Sequence, residues 1–110
     1  MAADFVVRAS ARSVADAIEQ LARARGNITA LVVPWESTAS VLTLAVTVVK
    51  SDGWAIEHTN LGTITLTAEG EATRIAAAGA AVDSADKDRL IALFDRFARD
   101  VRQRLDAETP

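Results

Sequence analysis

The stretch Asp83 to Glu108 limits most strongly what this chain can fold into. Leu90, Phe94, Phe97, Val101 and Leu105 recur at steps of four, three, four and four, so they fall on one face of a helix. Ile91, Leu93 and Ala98 widen that stripe, while Asp95, Arg96, Arg99, Asp100, Arg102 and Arg104 fill most of the opposite side. Asp83 and Ser84 are natural N-caps, because a short side-chain oxygen can accept from a free amide of the first turn. Asp86 and Asp88 then set negative charge at the positive end of the helix dipole. At about 1.5 Å per residue the helix is roughly 35 Å long. A helix of this length with so wide an apolar face has to lie on a sheet.

The middle of the chain supplies one. Val41 to Lys50 alternates strictly, with Leu42, Leu44, Val46 and Val48 on one side and Val41, Thr43, Ala45, Thr47 and Val49 on the other. The second side is semi-polar, as in a sheet with one solvated face. Ser51-Asp52-Gly53 forms a turn, with Asp-Gly the favoured hairpin pair. Trp54, Ile56 and His58 then alternate against Ala55, Glu57 and Thr59. Asn60 and Gly62 mark a bend or bulge, Thr63 to Thr67 forms a one-sided strand, and Glu69-Gly70 turns the chain into Thr73 to Ala78. Before these, Phe5 to Ala9 is β-prone, and Ile28 to Val33 is a strand ended by Pro34. A modest helix between them begins at Ser13-Val14-Ala15-Asp16, a pattern like a capping box. It buries Val14, Ala17, Ile18, Leu21 and Ala22, and stops at Gly26-Asn27. The expectation is an α+β fold: about six antiparallel strands in one curved sheet, helices on one face, and residues 1–110 as a single domain.

Three stretches within this order carry a resemblance. Phe5-Val6-Val7-Arg8-Ala9-Ser10-Ala11 leading into Val14-Ala15-Asp16-Ala17-Ile18 looks like an opening strand and helix. Leu66-Thr67-Ala68-Glu69-Gly70-Glu71-Ala72-Thr73-Arg74-Ile75 looks like a late hairpin that turns on an acidic-Gly pair. Asp88 to Leu105 looks like a closing helix. Together they cover about half the chain and resemble the START and polyketide-cyclase-like (SRPBCC) superfamily. The resemblance implies a helix-grip fold, in which a curved sheet wraps around the long C-terminal helix. It also implies an apolar or amphipathic small molecule held between the two. The wall would be Trp54, Ile56, His58, Leu66, Phe94, Phe97 and Val101.

Chemistry by itself narrows this little. His58, the one histidine, is either a ligand contact and general base or a residue on a solvated strand end. Trp54 either lines a pocket or fills core; Trp35 is either an exposed anchor or folded over a sheet edge. The chain has no cysteine, so thiol catalysis, disulfides and cysteine-ligated metal are excluded. One histidine does not make a metal site, the glycines do not cluster into a phosphate loop, and no nucleophile elbow is present. No catalytic residue, cofactor or metal is therefore expected. A net charge of −3 argues against nucleic acid and anionic lipid as partners. The start of the chain lacks a signal-peptide pattern and the most apolar run, Val41 to Val49, is too short to span a bilayer, so a cytoplasmic protein is expected. The alternative to ligand binding is an interaction module with a packed interior that forms a homodimer.

Overall fold

The computed structural model describes residues 3–52, 55–80 and 87–108. Strand β1 (Ala3–Val7) leads into helix α1 (Ala11–Arg25), which is followed by β2 (Ile28–Val32) and a short 3-10 turn (Pro34–Glu36). Three strands follow, β3 (Val41–Asp52), β4 (Ala55–Glu69) and β5 (Ala72–Gly79), and then helix α2 (Lys87–Glu108). The sheet order is β1-β5-β4-β3-β2, antiparallel throughout. β1 and β2 thus occupy opposite edges, and α1 crosses the sheet between them. This is the α+β class expected, with five strands among the described residues rather than six.

The first helix starts earlier than its sequence suggests. Ser10, not Ser13, is the N-cap: its backbone is extended and its Oγ accepts the Ser13 amide at 3.2 Å. Ser13 occupies the first turn instead, where its Oγ accepts from the Ser10 hydroxyl at 2.9 Å. Both serines suit a cap, and the one next to the strand end is used. At the other end Gly26 adopts φ 82°, and its N–H donates to the Arg23 carbonyl at 3.1 Å, as Gly26-Asn27 foretells. The expected caps of the long helix, Asp83 and Ser84, lie outside the described residues.

The missing sixth strand has a local cause. β4 continues through Asn60 and Gly62 because a bulge absorbs the irregularity: Val46 pairs with Gly62 and Thr47 with Asn60, leaving Leu61 as the extra residue. Asn60 Oδ1 accepts the Gly62 amide at 3.1 Å, and the Leu61 carbonyl accepts from Ala80 N–H at 3.0 Å. The inserted residue also reverses the facing of everything before it. Leu61, Ile64 and Leu66 point inward and are buried. Ile56 and His58 pair with Ser51 and Val49 on the solvated face, so the inward facing expected from simple alternation is overturned.

Both helices pack on one face of the sheet and share one core. α1 contributes Val14, Ala15, Ile18 and Ala22; α2 contributes Leu90, Phe94, Phe97, Ala98, Val101 and Leu105. α2 lies over β1, β5 and β4, while α1 takes its main contact from β2. An Arg25–Asp100 ion pair ties the two helices together, and the Arg102 guanidinium sits 5.3 Å from the Phe5 ring centre. Phe94 comes so close to the bulge that a Cβ on Gly62 would lie 2.7 Å from its Cζ and 2.5 Å from the Ala78 carbonyl oxygen. Glycine at 62 is what lets the helix seat there.

Candidate functional site

Four of the seven residues assigned to the ligand wall do converge. Leu66 from β4 and Phe94, Phe97 and Val101 from α2 meet between sheet and helix, each with at most 2% of its surface exposed. They meet as sealed core. Burying side chains of this size contributes about 1.5–3 kcal/mol each, so their position is accounted for by packing. Ile56 is 69% exposed and His58 is exposed, both on the far side of the sheet from that cluster. Trp54 lies outside the described residues.

An open space between the same two elements lies further along. Where the first turns of α2 approach the end of β3, they leave a cleft of about 430 Å³. The helix side carries Leu90 and Leu93, at the forward end of the apolar stripe, and the exposed Ala92. The sheet side carries the inward side chain of Val48; Val49, whose side chain turns to the outer face, borders it, and Asn27 closes the border from the α1–β2 connection. Val49 N–H donates to the Asn27 carbonyl at 2.8 Å, which holds that border to the strand.

Arg89 and Arg96 complete the lining. They are seven residues apart, two helical turns, and so stand on the same edge of α2 with Leu93 between them. Among the described residues no carboxylate lines the cleft and neither arginine has an ion-pair partner. Elsewhere Arg25, Arg74 and Arg102 each meet an acid. The cleft therefore combines an apolar floor with two guanidiniums on one edge, a combination suited to an apolar body with an acidic end. Among the described residues no group of three or more His, Cys, Asp or Glu could hold a metal.

A second cleft, about 370 Å³, lies beside the start of α1 and is lined by Ser10, Arg12, Thr38, Gly70 and Leu42 among others. Among the described residues Leu42 is its one large apolar lining residue, so it offers little to an apolar ligand. In comparisons with known proteins, no family model matches the chain, nor does any curated protein or solved structure. The geometry stands alone.

Sequence reasoning missed Arg89, Arg96, Leu90, Leu93, Val48, Val49, Ala92 and Asn27 as cleft residues. The arginine spacing was a usable signal, because residues seven apart flank one edge of a helix. The withdrawal of the helix from β3 had no counterpart in the residue pattern.

Proposed function

We propose that this protein is a small helix-grip-like binding protein. It takes an amphipathic small molecule with an acidic end between the sheet and the C-terminal helix. The observation that carries this reading is the cleft itself: about 430 Å³, with Leu90 and Leu93 facing Val48 and, among the described residues, no ion-pair partner for Arg89 or Arg96 at its rim. Its size falls within the range of about 300–1,000 Å³ usual for small-molecule sites. The START-like resemblance is supported by the order of elements, with the first strand beside the last and a long closing helix on the sheet. In this reading Leu90, Leu93 and Val48 hold the apolar body and the two guanidiniums hold the anion. Leu66, Phe97 and Val101 support the site from within the core.

Anilinonaphthalene sulfonate, an aromatic anion, is a direct probe. Fluorescence titration should show saturable binding to the native protein. Joint replacement Arg89→Gln and Arg96→Gln should weaken it about tenfold or more without lowering the melting temperature. Absence of saturable binding, or unchanged affinity in the folded double variant, would sink the proposal. Near-UV circular dichroism separates binding to the native state from the general affinity of this dye for loosened cores.

A second reading, an interaction module that self-associates, is favoured by a separate observation. Trp35 is 85% exposed and Leu31 60% exposed. The two readings use opposite faces of the sheet.

A further inference from the structure

We infer that the outer face of β2, β3 and β4, together with Ala76 and Ala78 of β5, is the surface on which a second copy of this chain packs, sheet against sheet. The strand register shows what that face is made of. One row across the strands is Leu31, Ala45, Thr63 and Ala78. The next is Thr43, Thr65 and Ala76, and beyond it Val41 stands opposite Thr67. On the other side Thr29 Oγ1 and Thr47 Oγ1 share a hydrogen bond of 2.5 Å. Within β2, β3 and β4 none of these rows carries Asp, Glu, Lys or Arg; the Ala76 row runs on to Asp4 of β1 and the Thr67 row to Arg74 of β5. A solvated sheet face ordinarily carries charge at alternate positions.

Among the described residues, charge on this side lies at one corner. Arg74 Nε donates to Glu69 at 2.6 Å and its Nη1 to Asp4 at 3.0 Å, at the β1–β5 border. The opposite border carries the exposed apolar residues. Leu31 projects from edge strand β2, and Thr43 Oγ1, on the outer face, donates to the Glu36 carbonyl at 3.0 Å. That bond brings the turn bearing Trp35 up to the rim of the face. An aromatic side chain exposed beside an uncharged patch is a typical interface anchor.

Two features select a second copy as the occupant. A charge-free surface meets itself without like-charge repulsion, whereas a charged partner would lose hydration against it and gain no counter-charge. The area also suffices. About nine residues each of β3 and β4, the five residues of β2 and about four of β5, at about 3.3 Å per residue and about 4.8 Å between strands, give roughly 430 Å² per copy. The pair then covers roughly 850 Å², and the exposed Trp35 of each copy, with about 150 Å² or more of aromatic surface, carries it past the roughly 1,000 Å² a specific interface has to reach. Aligned packing of the two sheets about 10 Å apart gives four layers, with the helices and both clefts outermost.

Sedimentation velocity across a dilution series tests the inference. The expected result is a dimer at micromolar concentration that Ala45→Lys or Thr63→Lys converts to monomer with unchanged circular dichroism. Trp35→Ser should weaken it about tenfold or more. Asp16→Lys, on the exposed side of α1, should leave it intact. A monomeric wild-type protein at high micromolar concentration overturns the inference. So does a dimer that survives both lysine variants, which would be joined by strand edges or helices. Should the lysine variants fail to fold, Thr65→Cys decides, because the chain has no other cysteine. A short bis-maleimide should then link two copies, and a dimer that resists linking at position 65 overturns the inference.

Discussion

Ser10 and Ser13 stand three residues apart, and their roles divide cleanly. Ser10→Ala removes the oxygen that takes a first-turn amide and should cost about 1 kcal/mol. Ser13→Ala leaves that bond in place and should cost distinctly less; urea denaturation of both variants compares them. Thr73 is fully buried, and its Oγ1 donates to the Ala9 carbonyl at 2.7 Å, tying β5 to the entry of α1. Thr73→Val keeps the shape and strands that carbonyl, so a loss of about 1–3 kcal/mol is expected in the same assay. Gly62→Ala would drive a methyl group into the Phe94 ring and the Ala78 carbonyl. A cost of about 1–3 kcal/mol or more is expected, and the additional replacement Phe94→Leu should recover part of it. Arg74 is held above its ordinary pKa, by hydrogen bonding to Glu69 first and to Asp4 second. A raised basic group contributes stability that is complete below its unfolded pKa and lost only as pH climbs through the folded one. Both lie far above neutrality, so wild type and Arg74→Gln should show parallel melting curves between about pH 7 and 9.

The bulge in β4 shows how one inserted residue governs a whole element. From Glu69 back to Gly62 the strand keeps strict alternation, and Ile64 and Leu66 are buried. Past Leu61 the phase is reversed, which puts His58 in solvent opposite Val49. Diethylpyrocarbonate should therefore modify His58 readily in the native protein. Strong protection in the native state would show that the strand keeps a single phase. α2 follows its own periodicity throughout. Phe97→Ala, at 0% exposure under the centre of that helix, should cost about 3–5 kcal/mol. Leu93→Ala, only partly buried at the cleft, should cost less and lower dye affinity instead.

For the molecule as a whole, the sheet separates two surfaces of different character. One face holds the helices, the core and the cleft; the other is uncharged across its centre. A ligand that binds only the native state at about 100 times its Kd adds about 2.7 kcal/mol of stability. A thermal shift of that origin should appear with the dye in wild type, disappear in the Arg89→Gln, Arg96→Gln variant, and persist in the Ala45→Lys monomer. Persistence in the monomer would establish that the two surfaces act independently.

Much of this was legible in the residues. The stripe of α2, the strict alternation of β3, the stop at Gly26 and the entry strand follow from periodicity and local backbone preference, which act within a few residues. Leu66, Phe94, Phe97 and Val101 were readable as one buried group for the same reason. The phase of Ile56 and His58 was not, because a bulge becomes definite only when the strand is set against its partner and one residue finds no place in the register. Nor was the cleft. It exists because α2 rests on β1, β5 and β4, pinned where Phe94 meets Gly62, and clears the end of β3 as its first turns pass over it. A space of that kind belongs to the relation between two elements, and no single stretch of sequence contains it.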